Sequence, residues 1–256
     1  MFFIKSAFCR VFQTAFRIAL PILPYREPEI VSSCTDLGDV LKKENIKSVL
    51  IVTDKGIVNN GLVSLLEEVL KMSNVQYKVY DNTQPNPTVK NVEDALSIYK
   101  ANNCNCLIAI GGGSSMDCAK AVGARVAYPK KTVGQMKGIL RVLRKLPTLI
   151  AVPTTAGTGS EVTVASVIVD SKTHHKYVIN DFCLIPEYAV MMPTVTVNLP
   201  KYITAITGMD ALTHSIEAYV STNATPITDA CAEKSIELIT NYLKRAVDNG
   251  EEDSPE

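Results

Sequence analysis

The sequence predicts an α/β fold: a mostly parallel, helix-covered sheet followed by an all-helical segment. Three observations carry this prediction. Short, continuous apolar runs at 47–53 (KSVLIVT), 106–110 (CLIAI) and 148–152 (TLIAV) have the composition of strands covered on both faces. Stretches with apolar residues at helical spacing alternate with those runs, as in folds built from strand–helix–strand units. Beyond Pro200 the strand signal does not recur and only helical spacing continues.

The elements follow in order. In residues 1–24, Phe8, Val11, Phe12, Ala15, Phe16 and Ala19 keep helical spacing and predict an amphipathic helix docked on protein, with weak docking on a membrane surface as the alternative. No apolar stretch there reaches the ~20 residues of a membrane-spanning helix, and no cleavage-site pattern is evident. The run 47–53 is a strand. Leu62, Leu65, Leu66, Val69 and Leu70 predict a helix over 59–73, and 75–80 (VQYKVY) alternates like a strand. A polar, proline-bearing loop spans 81–88, and a helix spans 89–101. Strand 106–110 leads into a helix at 114–127, and strand 148–152 follows. Helices are expected at about 201–220 and 227–246, with a frayed acidic tail from Asn249. The chain therefore divides into an N-terminal extension at 1–24, an α/β domain at 25–195 and a helical part at 196–256.

Lys+Arg and Asp+Glu each number 26, and this balance gives no reason to expect a nucleic-acid partner. The seven cysteines (Cys9, Cys34, Cys104, Cys106, Cys118, Cys183 and Cys231) are odd in number and scattered. That pattern predicts reduced thiols in a cytoplasmic protein rather than a disulfide framework.

Four features carry chemistry. Gly111-Gly112-Gly113-Ser114-Ser115-Met116-Asp117 follows a buried strand and opens a helix. The glycines allow close backbone approach, and the helix start presents unpaired N–H groups at its positive dipole end, which suits a phosphate or pyrophosphate. Ser114 and Asp117 also fit a capping pair, although a cap alone does not require three glycines. Pro153-Thr154-Thr155-Ala156-Gly157-Thr158-Gly159-Ser160-Glu161 again follows a buried strand, so its hydroxyls suit a nucleotide or simply cap the next element. Asp54 ends the first strong strand, where a carboxylate accepts from ribose hydroxyls or starts a helix. Asp210 and His214 are four apart on a predicted helix and share one face, as two ligands of Fe2+ or Zn2+ would, or as a surface pair. His174 and His175, beside the turn Asp170–Thr173, are expected to face solvent.

Taken in order, GGGSSMDCAKAVG, PTTAGTGSEVT and GMDALTHSIEAYVS resemble the iron-containing (group III) alcohol dehydrogenase family from about Lys47 onward. The resemblance implies a dehydroquinate synthase-like architecture: a dinucleotide-binding α/β domain, then a helical metal-binding domain, with the catalytic cleft between them. It implies that Gly112, Gly113 and Ser114, with Asp117 following, hold the pyrophosphate of NAD, NADP being the alternative. It implies cofactor contacts from Asn86 of the NPT loop, from Thr154, Thr155 and Thr158, and from Lys176. Asp54 would select NAD over NADP. Asp210 and His214 would ligate Fe2+, with Zn2+ as the alternative. The implied reaction is metal-assisted hydride transfer between a small alcohol and its aldehyde. The resemblance is compatible with a homo-oligomer. A glycerol dehydrogenase-like enzyme is the alternative within the superfamily.

Two departures temper that expectation. The family completes its metal site with two further histidines downstream, and no histidine follows His214 here. The expected explanation is a C-terminally truncated form of a full-length enzyme; the alternative to the dehydrogenase is a nucleotide-binding fragment without turnover. Truncation would expose Ile216, Ile236, Ile239 and Leu243. Met192-Pro193 also stands where the family commonly has Asp-Pro.

Overall fold

A computed structural model of the chain describes residues 10–11, 14, 24–171, 173–197 and 199–249. Of the expected N-terminal helix only Arg10, Val11 and Thr14 fall among these residues, all three exposed, and the rest of it lies outside them. The expected frayed tail beyond Asn249 lies outside them too. The chain runs β1 (Glu29–Val31), α1 (Cys34–Lys43), β2 (Ser48–Val52), α2 (Lys55–Asn59), α3 (Leu62–Met72) and β3 (Gln76–Tyr80). It continues through α4 (Val89–Ala101), β4 (Cys106–Gly111), α5 (Gly113–Ala127), β5 (Gly138–Ile139), β6 (Thr148–Pro153), β7 (Ala165–Val169), β8 (Lys176–Asn180) and β9 (Tyr188–Val190). Helices α6 (Lys201–Tyr219) and α7 (Pro226–Asn249) end it.

The main sheet has six strands in the order β1-β9-β6-β4-β2-β3, and every pairing in it is parallel. Its inner strands β2, β4 and β6 are largely apolar because both faces are covered, whereas the edge strands β1 and β3 are partly exposed. In β2, Leu50 and Val52 join one core with Val92 and Leu96 of α4 and Ala119 and Val122 of α5. Val49 and Ile51 join a second core with Leu37 and Leu41 of α1 and Leu66 and Leu70 of α3. Burying each such leucine or isoleucine contributes about 1.5–3 kcal/mol, so the two-sided burial of β2 and β4 anchors the domain.

The order of the strands fixes where a ligand can enter. From β2 the chain crosses to β3 on one side, then returns to place β4 on the other side of β2. The carboxyl ends of β2 and β4 thus flank the point where the winding reverses, which is the preferred crevice of open α/β sheets.

The helix expected over 59–73 is present as α3, and a short helix, α2, precedes it, parted from it where Gly61 adopts φ +73°. That left-handed turn suits glycine, and Asp54 starts the earlier helix by accepting from the Ile57 amide at 3.1 Å. The chain also forms a second sheet, β5-β8-β7, in which β7 and β8 are antiparallel. One expectation is corrected: Ile236, Ile239 and Leu243 are half-buried rather than exposed, and Leu243 lies directly over Gly208. Ile216 is exposed as expected, and the apolar surface is carried by others, among them Tyr202, Met209, Val220 and Ile227. Helices α6 and α7 are antiparallel: Lys201 Nζ donates to the Asp248 carbonyl at 2.7 Å and the hydroxyls of Ser215 and Ser235 meet at 2.8 Å. Among the described residues, no helix is long and apolar enough to cross a membrane.

Candidate cofactor and metal site

Strand β4 ends at Gly111, whose φ of +142° is closed to residues bearing a side chain. A Cβ there would lie 2.6 Å from Ser115 Oγ and 3.6 Å from Asp54 Oδ2. Helix α5 starts at Gly113 with Gly112 as its N-cap, and no side chain caps it. The alternative reading of Ser114 and Asp117 as a capping pair is therefore not met. The helix start is instead open at the carboxyl end of β4, where first-turn amides suit an anion. Ser114 Oγ accepts from the Asn86 amide at 3.2 Å, which ties the NPT loop to the glycine loop. Asn86 itself holds φ +58°, a region asparagine tolerates better than most residues.

The threonine loop closes the other side. The Thr154 amide donates to the Gly111 carbonyl at 3.0 Å, continuing the β4–β6 pairing past the strand ends. A Cβ on Gly112 would sit 3.4 Å from Thr155 Oγ1, and one on Gly113 would sit 3.1 Å from Thr158 Cγ2. The two loops meet backbone to side chain: a methyl group on Gly112 would make an ordinary contact with Thr155, and one on Gly113 would press tightly on Thr158. The hydroxyls of Thr53, Ser115 and Thr154 are buried and have no hydrogen-bond partner among the described residues. Such groups need a partner, and all three stand at the carboxyl edge of the sheet.

A cavity of about 910 Å³ opens at this edge, lined by Asp54, Tyr80, Asn82, Gly112, Gly113 and Ser114, among others. Its size falls within the range of cofactor clefts, roughly 300–1,000 Å³. Asp54 Oδ1 caps α2, and the residue also lines the cavity. The glycine cradle, the open helix start and the orphaned hydroxyls fit a dinucleotide.

Of the expected cofactor residues, Asp54, Gly112, Gly113 and Ser114 line the cavity, whereas Asn86, Thr154, Thr155, Thr158 and Lys176 do not. Neither does Asp117. It sits one turn into α5, where its carboxylate accepts from Val167 N at 3.1 Å and Ser160 Oγ at 3.2 Å. Burial pushes its pKa up to about 6, opposed by Lys120 and by those hydrogen bonds. Lys176 is exposed on β8, paired with Val169, and Val169 in turn bridges Thr88 at the foot of the NPT loop. It therefore stands near the Asn86 loop without lining the cavity.

Lys120 was not singled out from the sequence. It is fully buried, and its Nζ donates to the carbonyls of Ser160 at 2.7 Å, Thr163 at 2.9 Å and Ala165 at 3.0 Å. Burial lowers its pKa to about 8, against the opposing pull of Asp117 and Glu161. A signal was available: Asp117 and Lys120 are the only charges in the otherwise apolar helical stretch 116–122.

Asp210 and His214 project from α6, with Oδ1 and Nε2 3.8 Å apart and side chains about half exposed. Their oxygen and nitrogen fit a divalent metal as two ligands. Among the described residues, no group of three or more His, Cys, Asp or Glu comes together to hold one. The helix reaches the cofactor loops through Gly157, where a Cβ would lie 2.5 Å from the Thr207 carbonyl oxygen. His174 and His175 are exposed, as expected.

The parallel sheet, its switch-point cavity and the glycine loop define a nucleotide-binding α/β domain, continued by a pair of helices. The chain belongs to the iron-containing alcohol dehydrogenase family: that family's pattern matches residues 31–193, and the Fe-containing alcohol dehydrogenase C-terminal pattern matches 204–255. The chain is 46% identical over 213 residues to alcohol dehydrogenase 4 of Schizosaccharomyces pombe, a match covering 83% of this chain and 50% of that protein. Among solved structures it is similar to a 1,3-propanediol oxidoreductase, with TM-score 0.85 and 34% identity over 89% of this chain and 60% of that one. It is also similar to sulfoacetaldehyde reductase from Bifidobacterium kashiwanohense in complex with NAD+, with TM-score 0.79 and 31% identity over 90% of this chain and 61% of that one. The chain spans about half the length of the curated relatives it matches.

Proposed function

We propose that this chain is the cofactor-binding part of an NAD-dependent oxidoreductase that interconverts a small alcohol and its aldehyde. The observation that carries the reading is the meeting of Gly112 and Gly113 with Thr155 and Thr158 at the switch point of the sheet. We divide the chain into the extension 1–24, the dinucleotide-binding domain 25–195 and a partial helical metal-binding domain 196–256. The first-turn amides of α5, with Ser114, hold the pyrophosphate. Asp54 accepts from the adenosine ribose and repels a 2′-phosphate, so NAD is preferred to NADP. Asn86 and Lys176 approach the cofactor from the NPT loop and β8. Thr154, Thr155 and Thr158 offer hydroxyls on the side of the glycine loop that faces α6. Asp210 and His214 supply a carboxylate and an imidazole to Fe2+, or to Zn2+ in its place. When bound, NAD supplies hydride-transfer chemistry and the metal supplies Lewis acidity. The protein's own part is to orient the reactants between its loops and α6 and to keep that space dry. The free thiols at Cys104, Cys106, Cys118, Cys183 and Cys231 suit a reducing cytoplasm.

One observation favours a second reading, nucleotide binding without turnover: among the described residues, Asp210 and His214 have no third ligand beside them. A single assay separates the two. The 256-residue chain is incubated with NAD+, Fe2+ or Zn2+ and butanol, and NADH absorbance is followed. NADH formation that depends on the alcohol and on His214 supports the dehydrogenase; NAD+ binding with no NADH supports the second reading.

A further inference from the structure

We infer that Lys120 is a positioning residue for the cofactor cradle, clamping the threonine loop to the same helix that the glycine loop opens. The inference rests on the proposed NAD site and deepens it. The threonine loop is tethered at both ends. Upstream, Thr154 N donates to the Gly111 carbonyl at 3.0 Å. Downstream, one ammonium gathers three carbonyls, those of Ser160, Thr163 and Ala165, together with Thr163 Oγ1 at 2.9 Å and Ser160 Oγ at 3.3 Å. Asp117, one turn earlier, takes Ser160 Oγ and Val167 N, while Ser166 Oγ donates to the Asp117 carbonyl at 2.7 Å. The segment 160–167 is thus pinned to α5 at several points.

Between the two tethers lie Thr155 and Thr158, the residues that close on Gly112 and Gly113. Their position is therefore set by α5 itself, so the two halves of the cradle move as one body. Stability alone does not account for the arrangement. A buried ammonium is expensive to desolvate, and apolar side chains of similar volume commonly replace buried charges without loss. What an apolar side chain would not supply is a common donor to three loop carbonyls, and fixing a binding constellation depends on such supporting contacts.

The test compares two ligands on the intact 256-residue chain. ADP carries the half that falls to the glycine loop and the Asp54 side of the cavity. NAD+ carries in addition the half that falls to the threonine loop. Affinities for both are measured by isothermal titration for wild type, Lys120→Met and Thr163→Val, with thermal melts alongside. The expected result is a loss of NAD+ affinity of roughly tenfold or more in Lys120→Met, with ADP affinity changed less than about threefold. Thr163→Val, which keeps the lysine and removes one acceptor, shows the same split more weakly, and it decides the matter if Lys120→Met does not fold. Parallel loss of both ligands, or a lowered melting point with both affinities intact, overturns the inference. A wild-type chain that binds neither ligand overturns the proposed site itself, and the inference with it.

Discussion

Gly157 meets Thr207 so closely that a Cβ on the glycine would lie 2.5 Å from the threonine carbonyl oxygen. This contact joins the threonine loop to α6, the helix that carries Asp210 and His214. Gly157→Ala is expected to force the loop and the helix apart and to destabilise the chain by about 1–3 kcal/mol. Gly134→Ala is the control, since a Cβ there meets nothing within 4 Å. That substitution should be neutral or stabilising by up to about 1 kcal/mol. Urea unfolding of the two variants checks the difference.

Asp54 has two tasks that one substitution separates. Asp54→Ala removes the acceptor of the Ile57 amide, which should lower stability by about 1 kcal/mol. It also removes the charge that would repel a 2′-phosphate, so the ratio of NADP+ to NAD+ affinity should rise. Parallel melts and titrations distinguish the two effects. An unchanged affinity ratio would confine Asp54 to capping.

The buried charges on α5 predict a dependence of stability on pH. Burial lifts Asp117 from 3.8 to about 6, so the folded chain keeps a proton that the unfolded chain has lost. Its contribution is full below pH 3.8 and is lost as pH rises through about 6. Lys120 is lowered from 10.5 to about 8, so its contribution is full above pH 10.5 and is lost as pH falls through about 8. Asp117→Asn should flatten the acidic limb and Lys120→Met the alkaline one, measured as unfolding free energy across a pH series.

At the other end of the site, His214 is more than half exposed, so His214→Ala should change stability by less than about 0.5 kcal/mol. It should nevertheless abolish whatever Zn2+ or Fe2+ binding the wild-type chain shows near α6, because it removes the imidazole. Titration of both chains with Zn2+ checks this. Metal binding that survives the substitution would place the ion elsewhere.

Much of the fold was legible because its signals are local. The two-sided apolar runs marked β2, β4 and β6, and the helical spacing marked α4 to within its observed ends. Strands β1 and β9 span three residues each, too short to show a period. The β7–β8 hairpin alternates by twos, as ASVIV and KYVIN, but its pattern is interrupted by the Asp170–His175 turn. In the candidate site, the glycine run and the threonine loop were legible as strand-end loops. That Gly113 touches Thr158, or that Lys120 reaches the loop carbonyls, depends on how α5 packs against β7, and no single segment encodes it. Asp117 shows the limit from the other side. Its spacing from Ser114 fitted a cap, but the helix began one residue earlier and turned the carboxylate toward Ser160 and Val167.

The most direct test of the account is an isothermal titration of NAD+ and NADP+ into the 256-residue chain without added metal. The account predicts one NAD+ site per chain, weaker binding of NADP+, and loss of both in Gly111→Ala, whose Cβ would meet Ser115 Oγ at 2.6 Å. No saturable heat with either nucleotide, or NAD+ binding that Gly111→Ala leaves intact in a folded chain, would contradict it.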